Sequence, residues 1–335
     1  MSKDISRRQF LGMAGLAALA AGCASTATPT AAPAAEVAPK GDPNEKYVMV
    51  SNVAAHPYWL DAQYGGQDAA AALGVKWEYT GPADFDTPAQ VTALEQIIAT
   101  KPAGLVVAAL QPDAIAAAID KAIAAGIPVV TVDTDAPKSK RLTYLGTENY
   151  QAGRAMGRRM IEVLGGQGKV GLASVPGQFN LEERIRGIKD ALAEAGGVTV
   201  ATVVDDKNDD AATTDAVVAM LQANPDINLV SSINAVGAGV AAALRQTNNV
   251  GKVKAVTFDI TEPIIAGLED GTIDSTMVQR TYMMAYVGVQ LLYVCNHRSS
   301  YLDNWFKNGI GMLPYGVDTG VMVVAKDQVA AFKKE

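Results

Sequence analysis

The chain has 335 residues, is 49% apolar and 6% aromatic, and carries a formal net charge of −7. That length holds two domains of ordinary size, with cores built mainly from Ala, Val, Leu and Ile. The acidic balance excludes nucleic-acid binding, which needs a basic face, and with only Cys23 and Cys295 present no disulfide links folded parts.

Residues 1–23 read as an address. Ser6-Arg-Arg-Gln-Phe-Leu11 holds a twin arginine, and the apolar run Leu11 to Ala21 ends at Gly22-Cys23. A positive start, a short apolar segment and small residues mark a secretory signal. Paired arginines mark the twin-arginine route, and the run is too short to span a bilayer. Ala20-Ala-Gly-Cys23 resembles a lipoprotein processing site at which Cys23 is lipidated, although Leu19 lies four residues before the Cys where three is usual. Cleavage near Ala21 without lipidation is the alternative. Residues 24–44, rich in Ala, Pro and Thr, cannot bury a core and are expected to form a disordered tether.

From Lys46 onward, strands and helices alternate. The apolar run Tyr47-Val-Met-Val-Ser51 reads as a buried parallel strand. Pro57, Tyr58 and Trp59 then open an amphipathic helix. Further strands are expected at Gly74–Thr80, Gly104–Leu110 and Ile127–Asp133, with helices at Thr87–Ala99 and Asp113–Ala125. The pattern then restarts, with strands at Lys169–Ser174, Thr199–Val204, Ile227–Ser232 and Lys252–Phe258. Helices lie near Tyr150–Leu164, Asn180–Ala195, Ala211–Ala223 and Val236–Gln246. Such alternation implies βαβ units, and two successive doubly wound halves imply two α/β lobes with parallel sheets.

Ligands of open α/β sheets sit beyond the carboxyl ends of strands, and clefts between lobes favour them. Ser51, His56, Tyr58, Trp59, Asp133, Asn234, Asp259 and Gln279 stand at or just past strand ends, and Arg184 opens a helix of the second half. Taken singly, the aromatics are explained by packing and the aspartates by helix capping. Together they are the groups a polyol needs: carboxylates accept from hydroxyls, Arg and amides donate, and flat rings cover C–H faces.

The chain from about Tyr47 to Lys326 resembles the type I periplasmic sugar-binding proteins, the ribose-binding group in particular. The carriers are Val50-Ser-Asn52 with His56-Pro-Tyr-Trp59, Ala125 to Asp133, the Arg-x-x-Gly element at Arg184, Val256-Thr-Phe-Asp259 and Met277-Val-Gln279. The resemblance implies two doubly wound lobes joined by a three-crossing hinge. It divides the chain into 45–147 plus 280–318 for the N-terminal lobe and 148–279 plus 319–335 for the C-terminal lobe. Ser51, His56, Tyr58, Trp59 and Asp133 would line the first wall, and Arg184, Asn234, Asp259 and Gln279 the second wall and hinge. His56 stands where that group usually has Asn, Thr134 replaces an Arg, and Asn208 falls near an aromatic position. The ligand is therefore expected to be a monosaccharide or sugar alcohol with its own hydroxyl pattern; open-chain polyols, cyclitols and pyranoses stay open.

The resemblance further implies a binding protein with no catalysis and no cofactor. It would act as a monomer outside the inner membrane, in the periplasm or on the outer membrane face, touch the membrane through a lipid anchor only, and deliver its ligand to an ABC transporter permease. His56 and His297 are far apart with no Cys beside them, so no metal site is expected. Gly165-Gly-Gln-Gly-Lys169 precedes a strand, whereas a P-loop follows one. The rival reading is an exported NAD(P)-dependent oxidoreductase using Gly237-Ala-Gly239-Val-Ala-Ala242, which fits G-x-G-x-x-A with Asp259 at a suitable interval. Four residues separate those glycines from the strand end, and no acid–base pair for hydride transfer is evident. A sugar-responsive regulator is excluded, because a signal and tether stand where a helix-turn-helix would.

Overall fold

The structure, a computed structural model, describes residues 41–332. The leader, Cys23 and residues 24–40 lie outside the described residues. The stretch 41–44, assigned to the tether from composition, is instead the first turn of the body. Gly41 donates to the Leu73 carbonyl (3.0 Å), and Asp42 Oδ1 accepts from the Asn44 amide (2.8 Å).

Two six-stranded sheets are built in one order. The first runs β2 (Lys76–Thr80), β1 (Lys46–Val50), β3 (Gly104–Val107), β4 (Val129–Val132), β5 (Thr143–Gly146), β11 (Gly316–Asp318). The second runs β7 (Val198–Asp205), β6 (Gly168–Ser174), β8 (Leu229–Ser232), β9 (Lys254–Phe258), β10 (Ser275–Gln279), β12 (Val321–Ala325). All neighbours are parallel except β12, which runs antiparallel to β10. The expected α/β fold with two doubly wound parallel lobes is therefore present. β5, β10, β11 and β12 are not among the expected strands; β5 and β11 are only three or four residues long with mixed character, whereas β12, Val-Met-Val-Val-Ala, is an apolar run that sequence reading missed.

Central strands are apolar throughout because helices cover both of their faces. Alternate residues feed separate cores. Val48, Val50, Leu105 and Val107 pack with Leu94, Ile98, Ile115 and Ile119 of helices α2 (Thr87–Ala99) and α3 (Pro112–Ala124). Tyr47, Met49 and Val106 pack on the other face against α1 (Leu60–Leu73) and, through Met284, Val289 and Leu292, against α9 (Thr281–Asn296). The second sheet is clad likewise, by α4 (Asn149–Val163) and α5 (Phe179–Ala195) on one face. The other face carries α6 (Asp210–Ala223), α7 (Gly237–Gln246) and α8 (Glu262–Asp270).

The chain passes between the sheets three times, after β5, after β10 and after β11. The crossings are tied together. Thr147 Oγ1 donates to Gln279 Oε1 (2.7 Å), the Thr319 amide to the Gly146 carbonyl (2.8 Å), and the Glu148 amide to Asp318 Oδ1 (3.0 Å).

Candidate ligand-binding site

In both sheets the turn after the fourth strand ends on an aspartate in the left-handed region, Asp133 and Asp259, each at φ 61°. For a non-glycine residue that conformation costs on the order of 1 kcal/mol. Each turn is held by its neighbours: the Asp133 amide donates to the Leu145 carbonyl (3.0 Å) and the Asp259 amide to the Met277 carbonyl (2.7 Å). Each aspartate carbonyl also accepts a side-chain hydroxyl, Tyr144 Oη at 2.8 Å and Thr276 Oγ1 at 2.6 Å. The strand-end turn thereby aims both carboxylates into the cleft.

Arg184 reaches the same cleft because α4 and α5 touch backbone to backbone. A Cβ on Gly187 would lie 2.1 Å from the Tyr150 carbonyl oxygen, and one on Gly153 would lie 2.1 Å from that of Arg184. Only glycines permit this approach, which gives the Arg-x-x-Gly element its physical sense. Arg184 Nε then donates to Asn149 Oδ1 and Nη1 to the Ile233 carbonyl, both at 2.9 Å, and the guanidinium stacks 3.8 Å over the Phe258 ring. The side chain is 4% exposed.

The cavity between the sheets measures about 180 Å³, the scale of one small ring-shaped molecule. Of the eleven expected ligand residues, ten line it: His56, Tyr58, Trp59, Asp133, Thr134, Arg184, Asn208, Asn234, Asp259 and Gln279. Ser51 does not. It is fully buried, with Oγ donating to the Thr80 carbonyl at 3.3 Å. The first-wall assignment of Ser51 is corrected accordingly: the strand ends one residue later than its side chain would need to face the cleft, and Asn52 occupies that place. Trp59 is largely core, its indole N–H held by Asn52 Oδ1 (3.0 Å) and its ring edge-on to Tyr58.

Sequence reasoning missed Asn52, Phe85, Asn149, Gln178 and Asn180, which also line the cavity. Asn52 stands two residues past the end of β1, so strand-end position is the signal that finds it; Asn149 lies three residues past β5, at the start of α4, without that mark. Phe85 sits in a loop with no such mark. Asp206, fully buried at the end of β7, was missed as well; it accepts from the Asn208 amide (2.9 Å) and from Asn234 Nδ2 (3.2 Å), and so sets both asparagines.

The electrostatics are those of a largely buried site with two carboxylates facing one guanidinium. Burial raises the Asp259 carboxyl to about 6, although Arg184 and the Gln279 amide (2.9 Å) pull it down. Burial also raises Asp133, against the Tyr58 hydroxyl (2.5 Å), Arg184 and the Thr134 hydroxyl (3.2 Å). Tyr58 is held well above its ordinary value by burial and by both carboxylates, so it stays a hydroxyl donor. Burial lowers His56, whose Nδ1 accepts from the Tyr58 amide (3.2 Å). Together the groups offer acceptors from both lobes, one fixed cation and a flat ring.

The dinucleotide reading of Gly237 and Gly239 does not hold. A Cβ on Gly237 would meet Thr257 Cβ at 2.8 Å, and one on Gly239 the Asp210 carbonyl at 2.4 Å, so both glycines serve helix packing. The Gly239 amide is already held by Asp210 Oδ1 (3.1 Å).

Two like-ordered sheets, three crossings and a polar cavity between strand ends define the type I periplasmic binding protein class. Residues 47–295 match the periplasmic binding protein domain, and the chain belongs to that family. It is similar to the arabinose-binding protein AraP from Geobacillus stearothermophilus (TM-score 0.82, 36% identity, 87% of this chain and 100% of that one). A sugar ABC transporter's sugar-binding protein from Bacillus halodurans superposes with TM-score 0.81 at 32% identity, over 86% of this chain and 100% of that one. The xylose/arabinose-binding protein XylF of Sulfolobus acidocaldarius is 25% identical over 87% of this chain and 73% of its own.

Proposed function

We propose that this chain is an exported solute-binding protein that does no chemistry. It captures a monosaccharide or sugar alcohol between its lobes and delivers it to an ABC transporter permease. The observation carrying the reading is the meeting of Asp133 and Asp259, from opposite sheets, with buried Arg184 in one small cavity. A ligand bridging both walls favours the closed state by differential contact. The arabinose-binding relatives make pentoses the first ligands to test. The twin-arginine pattern and Cys23 support export and lipid anchoring on the outer face of the cytoplasmic membrane, where the protein would act as a monomer.

A thermal-shift screen of the chain from residue 24 against pentoses, hexoses, polyols, cyclitols and nicotinamide dinucleotides tests this. A ligand at 100 times its dissociation constant stabilises the fold by about 2.7 kcal/mol. No shift with any sugar, polyol or cyclitol overturns the reading.

A further inference from the structure

The protein has three Trp, eleven Tyr and six Phe in all, yet Tyr301, Trp305, Phe306 and Tyr315 fall within fifteen residues. Three of them lie on α10 (Ser300–Lys307), a helix with no buried residue. Tyr301 is 67% exposed, Phe306 51%, Ile310 52% and Tyr315 72%. Tyr301 and Trp305 lie with ring centroids 5.2 Å apart, and Arg298 covers Phe306 at 4.5 Å. Monomer surfaces seldom gather apolar groups this way without a partner. The charges on this stretch are mutually engaged: Asp303 accepts from Arg298 (2.9 Å) and Lys307 (2.6 Å). Residues 298–315 carry two cations and one anion, so the patch is slightly positive on an acidic chain.

Its position identifies the occupant. α10 follows the end of α9, where Asn296 Nδ2 donates to the Ala103 carbonyl (2.8 Å) and His297 Nε2 meets Glu45 Oε2 (2.8 Å). Ala103 and Glu45 precede β3 and β1, so this is the end of the first sheet opposite the cleft. The described chain begins at the same end. A Cβ on Gly41 would lie 3.3 Å from the Tyr293 ring, which stacks on His297 at 4.0 Å. In the sequence, seventeen residues, 24–40, rich in Ala, Pro and Thr, separate Cys23 from this end of the body.

We propose that the patch Tyr301, Trp305, Phe306 and Ile310 docks on a phospholipid surface. This rests on the lipid-anchor reading of Cys23. Tyr and Trp rings favour the headgroup level, where the ring is covered and the polar edge stays wet. A short linker holds the patch at an effective concentration on the order of millimolar, so weak intrinsic affinity is enough. The contact faces one end of the first lobe to the lipid and leaves the cleft open to the outside. Permease docking needs both lobes to sense closure, whereas α10 belongs to one.

The test uses the chain from residue 24, which lacks both leader and Cys23, with phosphatidylcholine vesicles containing phosphatidylglycerol at millimolar lipid. Co-flotation, a blue shift of Trp305 emission and its quenching by brominated lipid are expected; Trp59 and Trp77 belong to the first-lobe core. The triple variant Tyr301→Ser, Phe306→Ser, Ile310→Ser should lower partitioning about tenfold or more while keeping the sugar-induced melting shift. If it fails to fold, quenching of Trp305 in the unaltered chain decides. No flotation and no quenching overturns the proposal, as does a dimer in solution that the triple variant dissolves, which would make a second copy the occupant. Mass spectrometry of the membrane-extracted native chain reports lipidation of Cys23 separately.

Discussion

The two lobes place the same residue in the same turn and then surround it differently. Asp133 and Asp259 share φ 61° and an amide bond to the neighbouring strand. The first is held within its own lobe, by the Tyr58 and Thr134 hydroxyls, and remains partly exposed. The second is 7% exposed and accepts from Gln279, whose own carbonyl is held by Thr147 at another crossing. One wall is locally satisfied; the other is wired to the hinge. A strand-end aspartate therefore acquires its role from what lies beside it, since turn geometry alone does not distinguish the two.

The largest effect should come from the cation between them. Arg184→Ala leaves the buried Asp259 and the partly exposed Asp133 without their charge partner, at an expected cost of about 2–5 kcal/mol in ligand binding. Calorimetry would read that as at least thirtyfold weaker affinity, and affinity within threefold of the unaltered protein would remove Arg184 from the site. Asp259→Ala should fall in the same range and exceed Asp133→Ala, because Asp259 is the drier of the pair. Equal losses would erase the contrast between the lobes.

Next comes pH. The Asp259 carboxyl lies at about 6, raised from its unfolded value near 3.9. The empty fold binds this proton more tightly than the unfolded chain does, so the group's contribution to stability falls as pH rises from about 4 to 6. Ligand hydroxyls favour the ionised form, so affinity should fall by up to about tenfold per unit below pH 6. Asp259→Asn should flatten both profiles, as seen by titration of melting temperature and dissociation constant.

A smaller effect is expected at the helix contact that aims Arg184. Gly187→Ala forces α4 and α5 apart, at about 1–3 kcal/mol of stability, visible as a lowered melting temperature. The smallest belongs to Tyr58→Phe, which deletes one hydrogen bond to a carboxylate. About 1–2 kcal/mol of affinity should be lost, with a fall in the apparent hydrogen-bonding support of Asp133 and little change at Asp259.

Sequence by itself determined the element types, the doubling of the α/β unit and most of the cavity wall. Buried parallel strands must be apolar runs, and the polar residues that end them stand out against Val, Ala and Leu. Asp133, Asp259 and Gln279 were legible for that reason, and Arg184 through its Arg-x-x-Gly element on a helix. Only the tertiary structure decided that Ser51 turns inward while Asn52 faces the cleft, because one residue of register moves a side chain to the opposite face. It alone brought in Phe85 and Asn149, and put Asp206 behind two asparagines. It also joined Gln279 to Thr147 across 132 positions of sequence. Those pairings depend on where two sheets meet, and no local pattern of side chains encodes that meeting.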